Sequence, residues 1–323
     1  MIEVEGVSKY YGKFEAVRDL SFSLGREQVL GFLGPNGAGK TTIMKMLTGF
    51  HFPSRGQVKI DGFSVEENPV EIKKRIGYLP ENNPLYGDLN PAEYLSFIAS
   101  ARLIPKAQRQ KAQDSAIAAC GLEEVRNQRI ESLSKGYKQR VGLAQAIIHD
   151  PDILILDEPT SGLDPNQIIE IRSLIRELGK RKTVILSTHI LQEVEAVCSA
   201  VLILNEGRIA AQGTSEEIAS TMKGRLGDTW ELLLKGASSG DIPGRLAVLG
   251  REPGEVSAEN AGNGIVKLVF NLPAGGKEND YPEDGELIFD WALSQGYKII
   301  GMSRKKLSLE DIFVKLTSEE KNK

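Results

Sequence analysis

The sequence is poor in cysteine. Only Cys120 and Cys198 occur in 323 residues, with no C-x-x-C spacing. Two thiols cannot build a disulfide framework, and a reducing compartment suits them best. Charge of one sign is also lacking. The formal net charge is −4 with 26% charged residues. There is no basic bias to favour nucleic acid and no acidic tail to favour disorder. Long apolar runs are missing: ILIL at 153–156 and VLIL at 201–204 are strand-sized, far from the roughly 20 apolar residues of a membrane span. A role at a membrane would need another chain to supply the membrane part. The start, MIEVEGVSKYYG, has neither a basic lead nor an apolar core, so no secretory signal is expected. No fixed-period repeat is visible.

What remains is an ordinary globular composition, 41% apolar, with length for one to three domains. Strand-like runs occur at 2–7, 28–34, 57–62, 75–80, 152–157, 183–188 and 200–209. Several are continuous and branched rather than alternating, which suits strands covered on both faces. Helical patterns at 40–49 and 166–178 lie between them. That β-α-β rhythm predicts an α/β core with a mostly parallel sheet over residues 1–220. The segment at about 82–149 differs: 91–103, 105–120 and 134–149 all read as helices, the first two with prolines near their starts. It is expected to be a helical subdomain. From about 225 to 323 the order strand, short helix near 242–250, two strands, helix, strand suggests a small accessory α+β domain of ferredoxin-like type.

GPNGAGKT at 34–41 fits G-x-x-x-x-G-K-[ST], and it follows a strand and opens a helix. Gly34, Gly37 and Gly39 let the backbone curl so that successive N–H groups point at phosphate oxygens. The helix N-terminus adds its field. Lys40 supplies a point charge for the β- and γ-phosphates, and Thr41 a hydroxyl for Mg²⁺. ILILDEP at 153–159 places Asp157 and Glu158 at the carboxyl edge of a parallel sheet, where ligands bind. Asp157 is expected to hold Mg²⁺, and Glu158 to orient or deprotonate the attacking water.

With GPNGAGKTT (34–42), LSKGYKQR (133–140), ILILDEP (153–159), SGLD (161–164) and LSTH (186–189) in that order, residues 1–220 resemble the ATP-binding subunits of bacterial ABC transporters. The resemblance implies a P-loop NTPase core. It implies that Tyr11 stacks on adenine, with Tyr10 beside it as the alternative. It implies that Asn36, Gly37, Gly39, Lys40, Thr41 and Thr42 hold the triphosphate of ATP, and that His189 contacts the γ-phosphate and positions Glu158. Two departures stand out. Glu81 occupies the position where the family usually has a glutamine metal ligand, and a carboxylate can fill that role. The signature reads LSKGY instead of LSGGQ, keeping Ser134 and Gly136 as phosphate contacts.

The resemblance further implies that Ser134, Gly136 and Asp164 act on the nucleotide of a second ATPase subunit. A homodimer is favoured, since every element of a hydrolytic site is present. The implied partners are integral membrane permease subunits of the ABC-2 exporter type, as in drug-resistance and gliding-motility-associated systems. The chain would then sit on the cytoplasmic face of the membrane, with 81–95 as its contact surface and no nucleic acid partner. A non-transport ABC ATPase usually shows two cassettes, a long coiled coil or zinc cysteines, and none is visible; nor is the [NT]KxD motif of a GTPase. The rest of the basic cluster, Lys138 and Arg140, reads as a solvated helix face.

Overall fold

Runs of isoleucine, leucine and valine build the central strands, and alternate residues of each serve opposite cores. In the computed structural model, the described residues are 2–226, 228–238, 240, 242, 246, 256–272, 281–305 and 308–318. The chain divides into two compact units: Met1–Thr214 with Leu316–Lys323, and Ser215–Lys315.

The first unit holds a six-stranded sheet. Its order is β10 (Arg208–Gly213), β9 (Ala200–Asn205), β3 (Val29–Leu33), β8 (Thr183–Thr188), β7 (Ile153–Asp157) and β6 (Ile76–Leu79). All pairs are parallel except the β9–β10 hairpin. Strands β3, β7 and β8 are buried along their whole length. Ile153 and Ile155 join one core, while Leu154 and Leu156 join the other, as the two-residue period of a doubly covered strand requires. The first core also contains Ile43, Met44 and Leu47 of α1 (Lys40–Leu47). It is closed by an antiparallel sheet of order β2 (Phe14–Leu24), β1 (Ile2–Tyr11), β4 (Arg55–Ile60) and β5 (Phe63–Ser64). The second core lies under α3 (Pro91–Ala101), α4 (Lys106–Ala119), α5 (Lys135–Ile147) and α6 (Pro165–Gly179). Two shorter helices, α2 (Pro69–Arg75) and α7 (Leu191–Val197), also belong to this unit, while α8 (Ser215–Leu226) opens the second.

The parallel sheet and the helical insertion match expectation. Two features differ. The N-terminal strand-like runs form their own antiparallel sheet, because β2, which the sequence reading passed over, pairs with β1 and leaves it facing away from the parallel ladder. The run at 200–209 is a hairpin rather than one strand. Glu206 (φ 45°) and Gly207 (φ 78°) turn it, the double positive φ of a type I′ turn.

In the second unit, β11 (Asp228–Lys235), β12 (Val256–Gly262), β13 (Ile265–Leu272) and β14 (Lys298–Lys305) pair in the order β12-β13-β11-β14, all antiparallel. That is the split β-α-β order of a ferredoxin-like sheet. The helix Tyr281–Ser294 contributes Ile288, Trp291 and Ala292 to its core. The short helix expected near 242–250 lies largely outside the described residues, although Ile242 and Leu246 are buried in the same core. Among the described residues no helix is long and apolar enough to cross a membrane.

One half-buried histidine should make this framework pH-sensitive. His149 precedes β7, and its Nε2–H donates to the Ile76 carbonyl at the head of β6, 3.1 Å away. Its Nδ1 is buried, with no hydrogen-bond partner among the described residues. Burial, with the Arg102 guanidinium nearby, pulls the imidazole from 6.5 down to about 4. The unfolded chain therefore takes up this proton first. The stability held above pH 6.5 is lost as pH falls toward 4. Between pH 7 and pH 5 this residue alone is expected to remove up to about 2 kcal/mol. Urea unfolding of the wild type and of His149→Gln at both pH values tests it. Equal pH-dependent losses in the two proteins would rule the histidine out.

Candidate functional site

The loop between β3 and α1 is shaped by contacts that exclude side chains. A Cβ on Gly34 would lie 2.6 Å from the Leu204 carbonyl oxygen, and one on Gly39 2.8 Å from that of Ala16. Gly39 also takes φ 99°, where an L residue is strained, and it opens α1 with no side chain capping the helix. The first N–H groups of α1 thus face outward from a glycine turn, the geometry that binds an anion. Asn36 and Gly37 form the exposed tip of the loop, and Thr41 and Thr42 are half-buried on the first turn. Lys40 is 6% exposed. Its ammonium donates to the carbonyls of Gly34 at 2.7 Å and Pro35 at 3.3 Å, and stands 3.6 Å from Glu158 Oε1.

Strand β7 delivers the two acids to the same place. The Thr41 hydroxyl donates to Asp157 Oδ1 at 3.4 Å, and Ser187 on the neighbouring strand donates to the same oxygen. A hydroxyl beside a buried carboxylate is a hard-oxygen donor set, which fits Mg²⁺. Glu158 lies just past the strand in the left-handed region (φ 48°). Its N–H is held by the Ser187 carbonyl at 3.2 Å and hydroxyl at 3.1 Å. Those bonds offset the strain and turn the carboxylate away from the strand axis. Its Oε2 is 3.0 Å from His189 Nδ1. Burial pushes the Glu158 carboxyl above its ordinary range, opposed by the pull of His189 and Lys40. An acid so raised accepts a proton more readily once ionised.

The signature stretch starts α5. The exposed Ser134 is its N-cap, accepting from Tyr137 N–H. Gly136 is buried against α6: a Cβ there would meet Gln167 Cδ at 2.7 Å. The Lys135 ammonium lies where a Cβ on Gly162 would be, at 2.1 Å. Asp164, exposed, caps α6 by accepting from Gln167 N–H at 2.9 Å. The sequence reading of Lys138 and Arg140 as a solvated face is corrected here. Lys138 donates to the Glu131 carbonyl at 2.9 Å, and Arg140 joins the Cys120 carbonyl to the Glu170 carboxylate. Both pin the helix rather than float on it.

Tyr11 ends β1 and is 43% exposed, its ring edge-on to His51 and with Lys9 Nζ 5.6 Å from its centroid. An open aromatic face of this kind suits a purine base. Glu81 is exposed just beyond β6, which pairs with β7 through Leu79 and Leu156 next to Asp157. Its charge is felt at Tyr78, together with that of Asp157.

Sequence reasoning missed the supports of this site. Thr160 and Glu193 lie outside the five motifs, and Ser187 and Thr188 were given no role within LSTH. Glu193 is 2% exposed and accepts from both threonine hydroxyls. Only the LSTH and DEPT stretches hinted at the hydroxyl donors.

Residues 17–161 match the family described as "ABC transporter". Over 98% of its length, the chain is 33% identical to an uncharacterized ABC transporter ATP-binding protein, YxlF of Bacillus subtilis (strain 168), and covers 99% of it. The chain belongs to the ABC transporter ATP-binding subunits. The bacitracin transport ATP-binding protein BcrA of Bacillus licheniformis is likewise 33% identical, over 98% of this chain and 97% of that one. A solved ATP-binding subunit of an ABC transporter superposes with a TM-score of 0.63 at 30% identity, covering 76% of this chain and 99% of its own. As an ABC transporter ATP-binding subunit, the chain binds nucleotide and hydrolyses ATP on a P-loop NTPase core.

Proposed function

We propose that two copies of this chain close over two ATP molecules, and that hydrolysis reopens them to work a separate membrane permease in the export direction. The observation that carries the reading is the buried Glu158, with His189 Nδ1 at 3.0 Å and Lys40 Nζ at 3.6 Å beside a phosphate-shaped loop. That arrangement suits hydrolysis as well as binding. Gly34, Asn36, Gly37, Gly39, Lys40, Thr41 and Thr42 cradle the triphosphate, and Tyr11 stacks on the adenine. Thr41, Asp157 and Glu81 would hold Mg²⁺, whose charge would offset that of the phosphates. Glu158 takes a proton from the water whose oxygen attacks the γ-phosphorus. The bridging P–O bond breaks and ADP leaves. His189 keeps Glu158 aimed and reaches the γ-phosphate.

Ser134 and Gly136 at the N-terminus of α5, with Asp164, complete the site of the partner copy. The permease contact is the 81–95 segment. Tyr86 is 52% exposed and Phe97 48%, with their rings 5.5 Å apart. An exposed aromatic patch of that kind marks an interaction surface. That contact would hold the chain at the cytoplasmic face of the membrane. The second unit serves regulation or dimer stability, and Phe289 and Leu293, one turn apart on its helix, stay exposed.

Complementation tests the shared site. Glu158→Gln and Ser134→Arg chains should each be inactive alone. Mixed before ATP is added, they should regain hydrolysis, because one site of the mixed dimer then has a normal base and a normal signature. No recovery on mixing would place the signature in its own chain's site and sink the dimer reading.

A further inference from the structure

Glu193 lies on the first turn of α7, and its carboxylate gathers three elements. Oε1 accepts from the Thr160 hydroxyl, on the loop that follows Glu158. Oε2 accepts from the Thr188 hydroxyl at 2.6 Å, at the residue before His189. That same Thr188 oxygen accepts from Ile190 N–H at 3.0 Å, so it clasps His189 from both sides. Arg172 Nη2, on the helix capped by Asp164, stands 3.9 Å from Oε1. The segments bearing Glu158, His189 and Asp164 therefore all meet one side chain that touches none of those three residues.

A carboxylate buried to 2% exposure is expensive to place unless it is well hydrogen-bonded. Here both oxygens are satisfied, and by groups from sequence-distant segments. A network of that kind fixes relative position more firmly than its members would pairwise. The distance it sets is the 3.0 Å between His189 Nδ1 and Glu158 Oε2, since one end of that pair hangs on Thr188 and the other on Thr160.

We propose that Glu193 is a positioning residue for hydrolysis, holding the loop of Glu158 and the turn of His189 in register through Thr160 and Thr188. The proposal rests on Glu158 and His189 acting as described above. It adds that their alignment is made from behind, by a residue with no contact to nucleotide.

The test measures steady-state ATP hydrolysis and equilibrium ATP binding for five proteins: wild type, Glu193→Ala, Glu193→Gln, Thr160→Val and Thr188→Val. Glu193→Ala is expected to lower kcat by about tenfold to hundredfold, the cost of misplacing a catalytic group by about an ångström, with KM for ATP within about twofold. Glu193→Gln should recover most of the rate. Its carbonyl accepts from one threonine, and its amide donates to the other after that hydroxyl turns. Each valine variant removes only a hydroxyl and should show a smaller loss of the same type. Combined with Glu193→Ala, each should add little further loss, because the interaction is already broken.

A readout apart from turnover is the ¹⁵N resonance of His189 Nδ1, resolvable in a chain with three histidines. Its hydrogen-bonded shift should be kept in wild type and Gln and lost in Ala. If the shift persists in Glu193→Ala, or if kcat per folded molecule is unchanged and only Tm falls, the positioning role is overturned. If Glu193→Ala does not fold, the two valine variants decide by the same measures. Wild-type protein that binds ATP without hydrolysing it would instead strike at the functional reading, leaving the ¹⁵N comparison to judge Glu193 separately.

Discussion

Glu158→Gln should retain ATP binding within a few-fold of wild type while hydrolysis falls by about a hundredfold to ten-thousandfold, the range lost with a general base. The substitution keeps the side chain's size, so the left-handed backbone at φ 48° and its two bonds to Ser187 survive. What disappears is the acceptor for the water's proton. An amide has no comparable basicity, whereas the native carboxyl is raised by burial and so is well matched to accept one. With ATP bound and not cleaved, closed dimers should accumulate. Gel filtration in ATP would show a shift to twice the mass that wild type does not sustain. Normal turnover by this variant would remove Glu158 from the base role. Normal ATP affinity is equally required, since a lost nucleotide would mean that the loop, and not the chemistry, had been damaged.

Lys40→Ala should fail one step earlier. The ammonium is 6% exposed and already oriented by the Gly34 and Pro35 carbonyls, so little ordering remains before its remaining proton faces a phosphate. A charge-assisted hydrogen bond contributes about 1.5–3 kcal/mol, which predicts an ATP affinity about tenfold to a hundredfold weaker. The variant also leaves Glu158 buried without the cation 3.6 Å away, a second penalty. Titration with a fluorescent ATP analogue measures the affinity, and hydrolysis should be undetectable at nucleotide concentrations that saturate wild type. The contrast between the two variants separates holding the triphosphate from cleaving it. Binding by Lys40→Ala with native affinity would contradict the placement.

The phosphate loop and the acids after β7 were legible because their chemistry is local. A glycine turn, a lysine and two carboxylates at a strand end need only their immediate neighbours to announce themselves. The order strand, helix, two strands, helix, strand likewise allowed the ferredoxin-like unit to be read from about 225 onward. The failures share a different cause. Arg140 looked solvated because its partners, the Cys120 carbonyl and Glu170, lie 20 and 30 residues away. Glu193 is one of 44 acidic residues, and nothing in its helix distinguishes it. Its meaning comes from Thr160, 33 positions upstream. β2 was passed over because its worth comes from pairing with β1 and not from its own composition. Tertiary burial, invisible to a window of ten residues, decided each of these.

The contact between α5 and α6 has a kinetic consequence. Gly136 lies so close to Gln167 that even a methyl group would collide, and the Lys135 side chain reaches across Gly162. The signature end of the chain is thereby packed against the start of α6 and the loop that leads to it. In the proposed twofold dimer this contact would link two catalytic centres, its loop serving the chain's own ATP and its signature the partner's. A shift caused by phosphate release in one centre would then be carried to the other, which predicts two coupled strokes rather than two independent ATPases.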